Sequence, residues 1–316
     1  MPDRNNDALK LPSIRRAAIG GHHDSPQLRQ GRFHNLSPRP ADMPAPGARV
    51  LWNALFNKPR STVPRQPLPV LSPSRAELDA TVDGSLFRLG HSTLLLKLAG
   101  SWWLTDPVFS ERASPLPFAG PKRFHAPPVA LADLPPIRGV ILSHDHYDHL
   151  DRAAIKALVP LVELFLAPLG VGDRLLAWGV PPGKVRQLDW WQGIEAGGLR
   201  LTATPAQHFS GRGLHDGNRT LWCSWVIESV ELKLSHRDLG GRWLLPIHNG
   251  TFDLAMHAWY ETFERILELA TERGVRVSTP MMGERIDLQA PHAGRRWWRE
   301  VVDSETQVQS YGCCRS

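Results

Sequence analysis

The stretch Gly139-Val-Ile-Leu-Ser-His-Asp-His-Tyr-Asp-His149 decides how the chain is read. Its first part, Val140, Ile141 and Leu142, is a continuous apolar run of the kind found in a strand buried on both faces. The strand then delivers three His and two Asp in six positions at its C-terminal end. His144 and His146 are two residues apart, so in extended backbone their imidazoles project to the same side and can grip one ion together. Asp148 and His149 follow at once and can turn towards a second ion. Imidazole and carboxylate donors without thiolate suit Zn2+, one ion or two, with Mn2+ or Fe2+ as alternatives. A solvated His-rich loop would have no need of a buried strand to place it.

The pattern His-x-His-x-Asp-His, carried here by His144, His146, Asp148 and His149, resembles the hallmark of the metallo-β-lactamase superfamily. Three further stretches are similar to the branch containing N-acylphosphatidylethanolamine-hydrolysing phospholipase D and its bacterial relatives. They are Leu-Thr-Asp-Pro-Val-Phe-Ser-Glu-Arg-Ala-Ser-Pro at 104–115, Gly-Pro-Lys-Arg-Phe at 120–124 and Ile-His-Asn-Gly-Thr-Phe at 247–252. The resemblance covers about residues 30 to 270. It implies an α/β fold, the αββα sandwich of that superfamily, and a metal-dependent hydrolase acting on a phosphodiester such as that of an N-acylated phospholipid. It further implies that His144, His146 and His208 hold a first ion and that Asp148, His149 and His248 hold a second, with Asp148 also orienting the nucleophile. Lys122 and Arg123 lie in a segment that frames the pocket in the family. They are read either as contacts to a substrate phosphate or as a solvated basic turn.

The chain departs from the family pattern at one place. Where a strand ending in Gly-Asp should supply a carboxylate bridging both ions, Glu228-Ser229 runs directly into Val230, and several tens of residues are missing. The second half-sheet is therefore expected to be shortened. Two dications about 4 Å apart would then repel each other with less compensation. A catalytically impaired, metal-binding relic is the competing reading. His236 and Asp238 lie nearby in sequence, on what reads as a helix over 230–239, and would be poor substitutes there.

The 316 residues suffice for a substantial core without disulfide staples. Three cysteines, two of them adjacent at Cys313 and Cys314, give no disulfide framework and fit a reducing compartment. No apolar h-region opens the chain, and the longest apolar stretch, 154–171, is broken by Lys156, Glu163 and prolines, so neither export nor a membrane span is expected. These features favour the cytoplasm. The net charge of +6 is uneven: residues 1–75 hold twelve basic against four acidic residues, +8, which leaves −2 for the remainder. That balance argues against a nucleic-acid groove across the body. The same segment holds 12 of the 28 prolines and reads as a solvated arm, or as one that touches the anionic inner face of a membrane through Arg15, Arg16, Arg29 and Arg32. The organisation expected is an arm at 1–75, a hydrolase domain at 76–290 and a tail at 291–316, with a small molecule or phospholipid as substrate.

Read in order, 86–89, 93–97 and 102–105 are strands of a meander. Asp106 ends the third and, as a buried carboxylate before Pro107, is expected to brace the metal loop. A proline-rich loop spans 107–137. Asp151 caps a helix to Leu158, and 164–167 is the next strand. A helix over 173–178 stops at Gly179, and strand 199–204 leads to His208. After the gap, 243–245 forms a strand before His248, 252–273 an amphipathic helix, and 275–277 an edge strand.

Overall fold

In the chain's computed structural model, residues 24–37, 57–230, 232–234 and 242–312 are described. Their elements run β1 (Leu28–Arg29), β2 (Arg32–Phe33), α1 (Arg75–Asp79), β3 (Ser85–Gly90), β4 (Thr93–Leu98), β5 (Ser101–Thr105) and β6 (Ile137–Ile141). There follow α2 (Arg152–Leu158), β7 (Val162–Pro168), α3 (Val171–Ala177), β8 (Val185–Leu188), β9 (Gly193–Ala196), β10 (Leu199–Thr204) and β11 (Ser224–Glu228). The last are β12 (Lys233–Leu234), β13 (Trp243–Leu244), α4 (Glu261–Glu272), β14 (Arg276–Val277), β15 (Arg285–Asp287) and α5 (Trp297–Gly312).

A seven-stranded sheet, ordered β15-β3-β4-β5-β6-β7-β8, carries the site. It is antiparallel as far as β5 and parallel from β5 to β8, with Leu104 beside Val140 and Val140 beside Phe165. Parallel neighbours need crossovers, and α2 and α3 supply two of them. The third, between β5 and β6, is the proline-rich loop. Parallel strands with both faces covered are apolar throughout, as 140–142 are. Gly139 is required where it stands: a Cβ there would lie 2.4 Å from the ring of Trp103, which has no exposed surface.

Two cores sandwich this sheet. On one face Leu89, Leu104, Val140 and Phe165 meet Leu78 of α1, Ile155 and Leu158 of α2 and Leu175 of α3. On the other, Leu96, Trp103, Ile141 and Leu166 meet Leu199, Leu201, Ala203 and Ile227 of a second, four-stranded sheet ordered β12-β11-β10-β9. A third cluster joins Leu68, Trp259 and Phe263 to Trp297, Trp298 and Val301, and α4 adjoins the parallel pair β13-β14. The layering is that of the αββα sandwich, and its second sheet is short.

Two sequence expectations are corrected. Instead of entering a helix at 230, the chain makes a tight turn in which Ser229 N donates to Leu232 O and Leu232 N to Ser229 Oγ. It then returns as β12, pairing Leu234 with Ile227. His236 and Asp238 lie outside the described residues, as do Arg15, Arg16, Cys313 and Cys314. The helix expected from 252 begins only at Glu261, because 252–260 is committed to other contacts: Phe252 is buried, Lys58 bonds Asp253, and Trp259 N donates to Ser61 O. The tail, which the sequence leaves unread, is α5, whose Trp297 ring meets Phe263 edge-on at 5.2 Å and whose Trp298 ring stacks on it at 4.7 Å. Among the described residues no helix is long and apolar enough to cross a membrane.

Candidate metal centre

His144, His146, Asp148 and His149 emerge at the C-terminal end of the parallel strand β6, where open α/β sheets place their sites. Leu142 N still bonds Leu166 O, so the chain stays extended up to Ser143. There Asp106, at the end of neighbouring β5, takes over. Its Oδ1 accepts from Ser143 N at 2.7 Å, and its Oδ2 accepts from Ser143 Oγ at 2.6 Å and lies 2.8 Å from His149 Nδ1. Beyond it, His149 N and Leu150 N both bond His146 O, and Asp151 caps α2 by accepting from Ala153 N and Ala154 N. The loop is thus fixed by a carboxylate at its start and a helix cap at its end.

Sequence reasoning missed a second brace. Asp145, with no exposed surface, accepts from Gly211 N at 2.8 Å and pairs with Arg174 of α3 at 2.8 Å. Arg174 also pairs with Asp216, while Arg212 stacks on Tyr147 and donates to the carbonyls of Asp145 and Leu150. These contacts tie the metal loop to the segment that follows His208. The signal was present: Asp145 is the one acid of the motif to which the resemblance gives no ligand role, and it sits between two candidate ligands.

The side chains gather into two groups, and within each the candidate ligand atoms lie within 4.8 Å of one another. His144, His146 and His208 form the first. His144 Nε2 stands 3.0 Å from both His146 Nδ1 and His208 Nε2. Burial holds His144 well below its ordinary range, lowers His146 and takes His208 to about 4, so all three are neutral near pH 7 and present lone pairs. Three neutral nitrogens facing one another at this spacing suit a cation at their centre.

His91, Asp148, His149 and His248 form the second group. Asp148 Oδ2 lies 2.9 Å from His91 Nε2, 3.0 Å from His248 Nε2 and 3.4 Å from His149 Nε2. Burial alone would raise the Asp148 carboxyl, but its bonds to His149, His248 and His91 prevail and hold it far below the usual carboxylate range. Burial likewise opposes charge on His149, yet Asp106 and Asp148 outweigh it and raise that imidazole to about 9. His91 was not singled out from sequence. It lies in the β3-β4 turn, far from the motif, and a lone His at a turn carries no ligand spacing.

Lys122 and Arg123 do not share a role. Lys122 is exposed and paired with Glu111 at 2.8 Å. Arg123 is buried under the ring of Phe252, with its guanidinium towards the carbonyls of Val108 and Phe109. Its placement is that of a loop brace, so the reading of Arg123 as part of a solvated basic turn is corrected. A half-exposed aromatic, Phe209, stands 4.7 Å from the His146 ring and walls one side of the first group.

The donor set fits zinc-type coordination: imidazole and carboxylate atoms gathered in two clusters. Residues 101–248 match the beta-lactamase superfamily domain. An uncharacterized protein of Mycobacterium tuberculosis is 36% identical over 329 aligned positions, covering 87% of this chain and 88% of that protein. Those positions outnumber the 316 residues of the whole chain, so the relative has residues without a counterpart here. The N-acyl-phosphatidylethanolamine-hydrolyzing phospholipase D 1 of Caenorhabditis elegans is 41% identical over 149 residues, 44% of this chain and 42% of that protein. Among solved structures, a possible metal-dependent hydrolase from Veillonella parvula aligns with a TM-score of 0.49 at 14% identity, over 66% of this chain and all of the other.

Proposed function

The chain belongs to the beta-lactamase superfamily, as a metal-dependent hydrolase of the metallo-β-lactamase fold, and on that premise we propose that it cleaves a phosphodiester such as that of an N-acylated phospholipid. The observation that carries the hydrolytic part is the meeting of two donor groups around the loop that holds His144, His146, Asp148 and His149. Divalent ions held by His144, His146 and His208 and by Asp148, His149 and His248 would lower the pKa of a water from 15.7 towards about 7 and stabilise charge on an attacked ester. Zinc suits the donors, with manganese or iron as alternatives.

The chain's own residues do the rest. Asp148 keeps an ionised carboxylate at the centre of the second group and orients the nucleophile. Asp106 holds His149 in the tautomer with its proton on Nδ1, which leaves Nε2 as the ligand atom. Phe209 shields one side of the first group from water. Lys122, exposed beside Glu111, is the cation offered to an anionic head group. The phospholipid preference is supported by the likeness to the C. elegans enzyme over part of the chain. Contact of the basic leading segment with an anionic membrane would suit such a substrate.

The test is turnover of a phosphodiester panel that includes N-acylphosphatidylethanolamine, with added Zn2+ or Mn2+ and a chelator-treated control. Metal-dependent release of the phosphatidic acid supports the proposal. Turnover of carboxyl esters or lactams alone would redirect the substrate class. The direct run from Ser229 into Val230, which omits the Gly-Asp strand, favours a second reading, a catalytically impaired relic. That reading would show as bound metal without turnover of any ester.

A further inference from the structure

The second group contains one donor more than the three that the resemblance implies, Asp148, His149 and His248. We propose that His91 is the fourth protein ligand of the second ion, closing a site of three histidines and one carboxylate, while His144, His146 and His208 leave the first ion an open position. The inference rests on the reading of these residues as a metal centre.

Geometry carries it. Three Nε2 atoms, those of His91, His248 and His149, converge on Asp148 Oδ2 at 2.9, 3.0 and 3.4 Å. Donors arranged tetrahedrally at about 2.0–2.1 Å from zinc stand about 3.3 Å from one another, close to the spacing of each nitrogen from Asp148 Oδ2, and all four ligand atoms lie within 4.8 Å of one another. The first group, whose ligand role the resemblance implies, shows the same contact length of 3.0 Å between nitrogens. His91 is therefore placed as the recognised ligands are.

Its surroundings leave the ring no other place. The side chain is 2% exposed. Its backbone N donates to Thr251 Oγ1 at 2.6 Å, and its carbonyl accepts from His248 N at 2.9 Å, so the turn is locked to the loop that carries another ligand. The ring centroid lies 4.0 Å from that of His248 and 5.4 Å from those of His149 and Phe252. The backbone is left-handed, at φ 43°, which a non-glycine residue adopts only under constraint and which clusters at functional sites. Nδ1 has no partner, so Nε2 is the atom the fold uses, and it points at the cluster.

A fourth neutral donor offsets part of what the missing bridging carboxylate would have contributed. It adds a dative bond to the second ion without adding charge. It also divides the roles: four protein ligands make a closed site, as structural zinc sites are, and three leave the position where catalytic sites accept water.

The experiment uses the full chain loaded with zinc and dialysed against metal-free buffer, with metal content by elemental analysis and cobalt substitution as a spectroscopic readout. The wild type is expected to hold about two equivalents, and His91→Ala about one. His91→Gln can still donate a hydrogen bond to Asp148 but is a poor zinc ligand, and it should also hold about one. Substitution should also remove the intense four-coordinate cobalt absorption belonging to the second ion. If His91→Gln retained both ions and the wild-type cobalt spectrum, His91 would only position Asp148, and the proposal would fall while the metal centre stood. One ion in the wild type would overturn the four-donor site. No metal in the wild type would overturn the metal-centre reading itself. Circular dichroism identifies a variant that has not folded; should His91→Ala be such a case, His91→Gln decides.

Discussion

Replacing Asp106 by Asn tests whether the brace beneath the metal loop sets the chemistry above it. The backbone at Asp106 is left-handed, at φ 33°, a region that Asn tolerates as Asp does, so the change leaves the chain path intact. The amide oxygen can still accept from Ser143 N, now 2.7 Å from Oδ1. The amide nitrogen then takes the place of Oδ2, 2.8 Å from His149 Nδ1. Two donors cannot face each other there. Either His149 moves its proton to Nε2, the atom that should bind metal, or a buried N–H loses its partner at a cost of about 1–3 kcal/mol. The first outcome should weaken the second ion about 10–100-fold, as loss of an outer-shell carboxylate commonly does, or about 1.4–2.8 kcal/mol. The first ion, whose ligands do not touch Asp106, should hold as before. Chelator competition would resolve the two affinities, and denaturant unfolding of the metal-free protein would give the stability cost. Unchanged affinity at the second position, with stability within about 0.5 kcal/mol of wild type, would refute the tautomer argument.

Other outcomes follow from the same structure. Burial pushes His125 down to about 4, so it folds neutral. Its contribution to stability should be present above pH 6.5 and lost as pH falls through 4, by up to about 3 kcal/mol, and His125→Gln should flatten that part of a stability–pH curve. An unchanged slope would place the acid sensitivity elsewhere. Gly139→Ala drives a Cβ into Trp103 and should cost about 1–3 kcal/mol in denaturant unfolding, whereas a wild-type midpoint would show that the sheet yields there. Lys122→Ala removes an exposed ion pair and should change stability by no more than about 0.5 kcal/mol, while KM for an anionic substrate rises several-fold and metal content stays constant. Equal KM would return Lys122 to a solvated turn.

The parts of this molecule that sequence reveals are those whose spacing repeats a backbone period. Val140 to Leu142 announce a doubly buried strand, and His144 and His146 share a side because strand residues alternate. Asp106 is legible for a related reason, since a carboxylate ending an apolar strand must find donors. His91 was not legible. It precedes Asp148 by 57 positions and reaches it only because the β3-β4 turn folds over the cluster. Lys122 and Arg123 looked equivalent because they are adjacent, yet the pairing of Arg123 with Phe252 turns one inwards and leaves the other out. Trp297 and Trp298 show their purpose only once Phe263 of α4 is opposite them. The turn at Ser229 overrode a helix-like pattern, because two local hydrogen bonds and a free edge on β11 gave the chain a nearer partner.

The most direct test of a two-ion centre on these seven side chains is anomalous diffraction at the zinc edge from crystals of the zinc-loaded protein. The account predicts two peaks, one enclosed by His144, His146 and His208 and one by His91, Asp148, His149 and His248. A single peak, or none within reach of these donors, would contradict it.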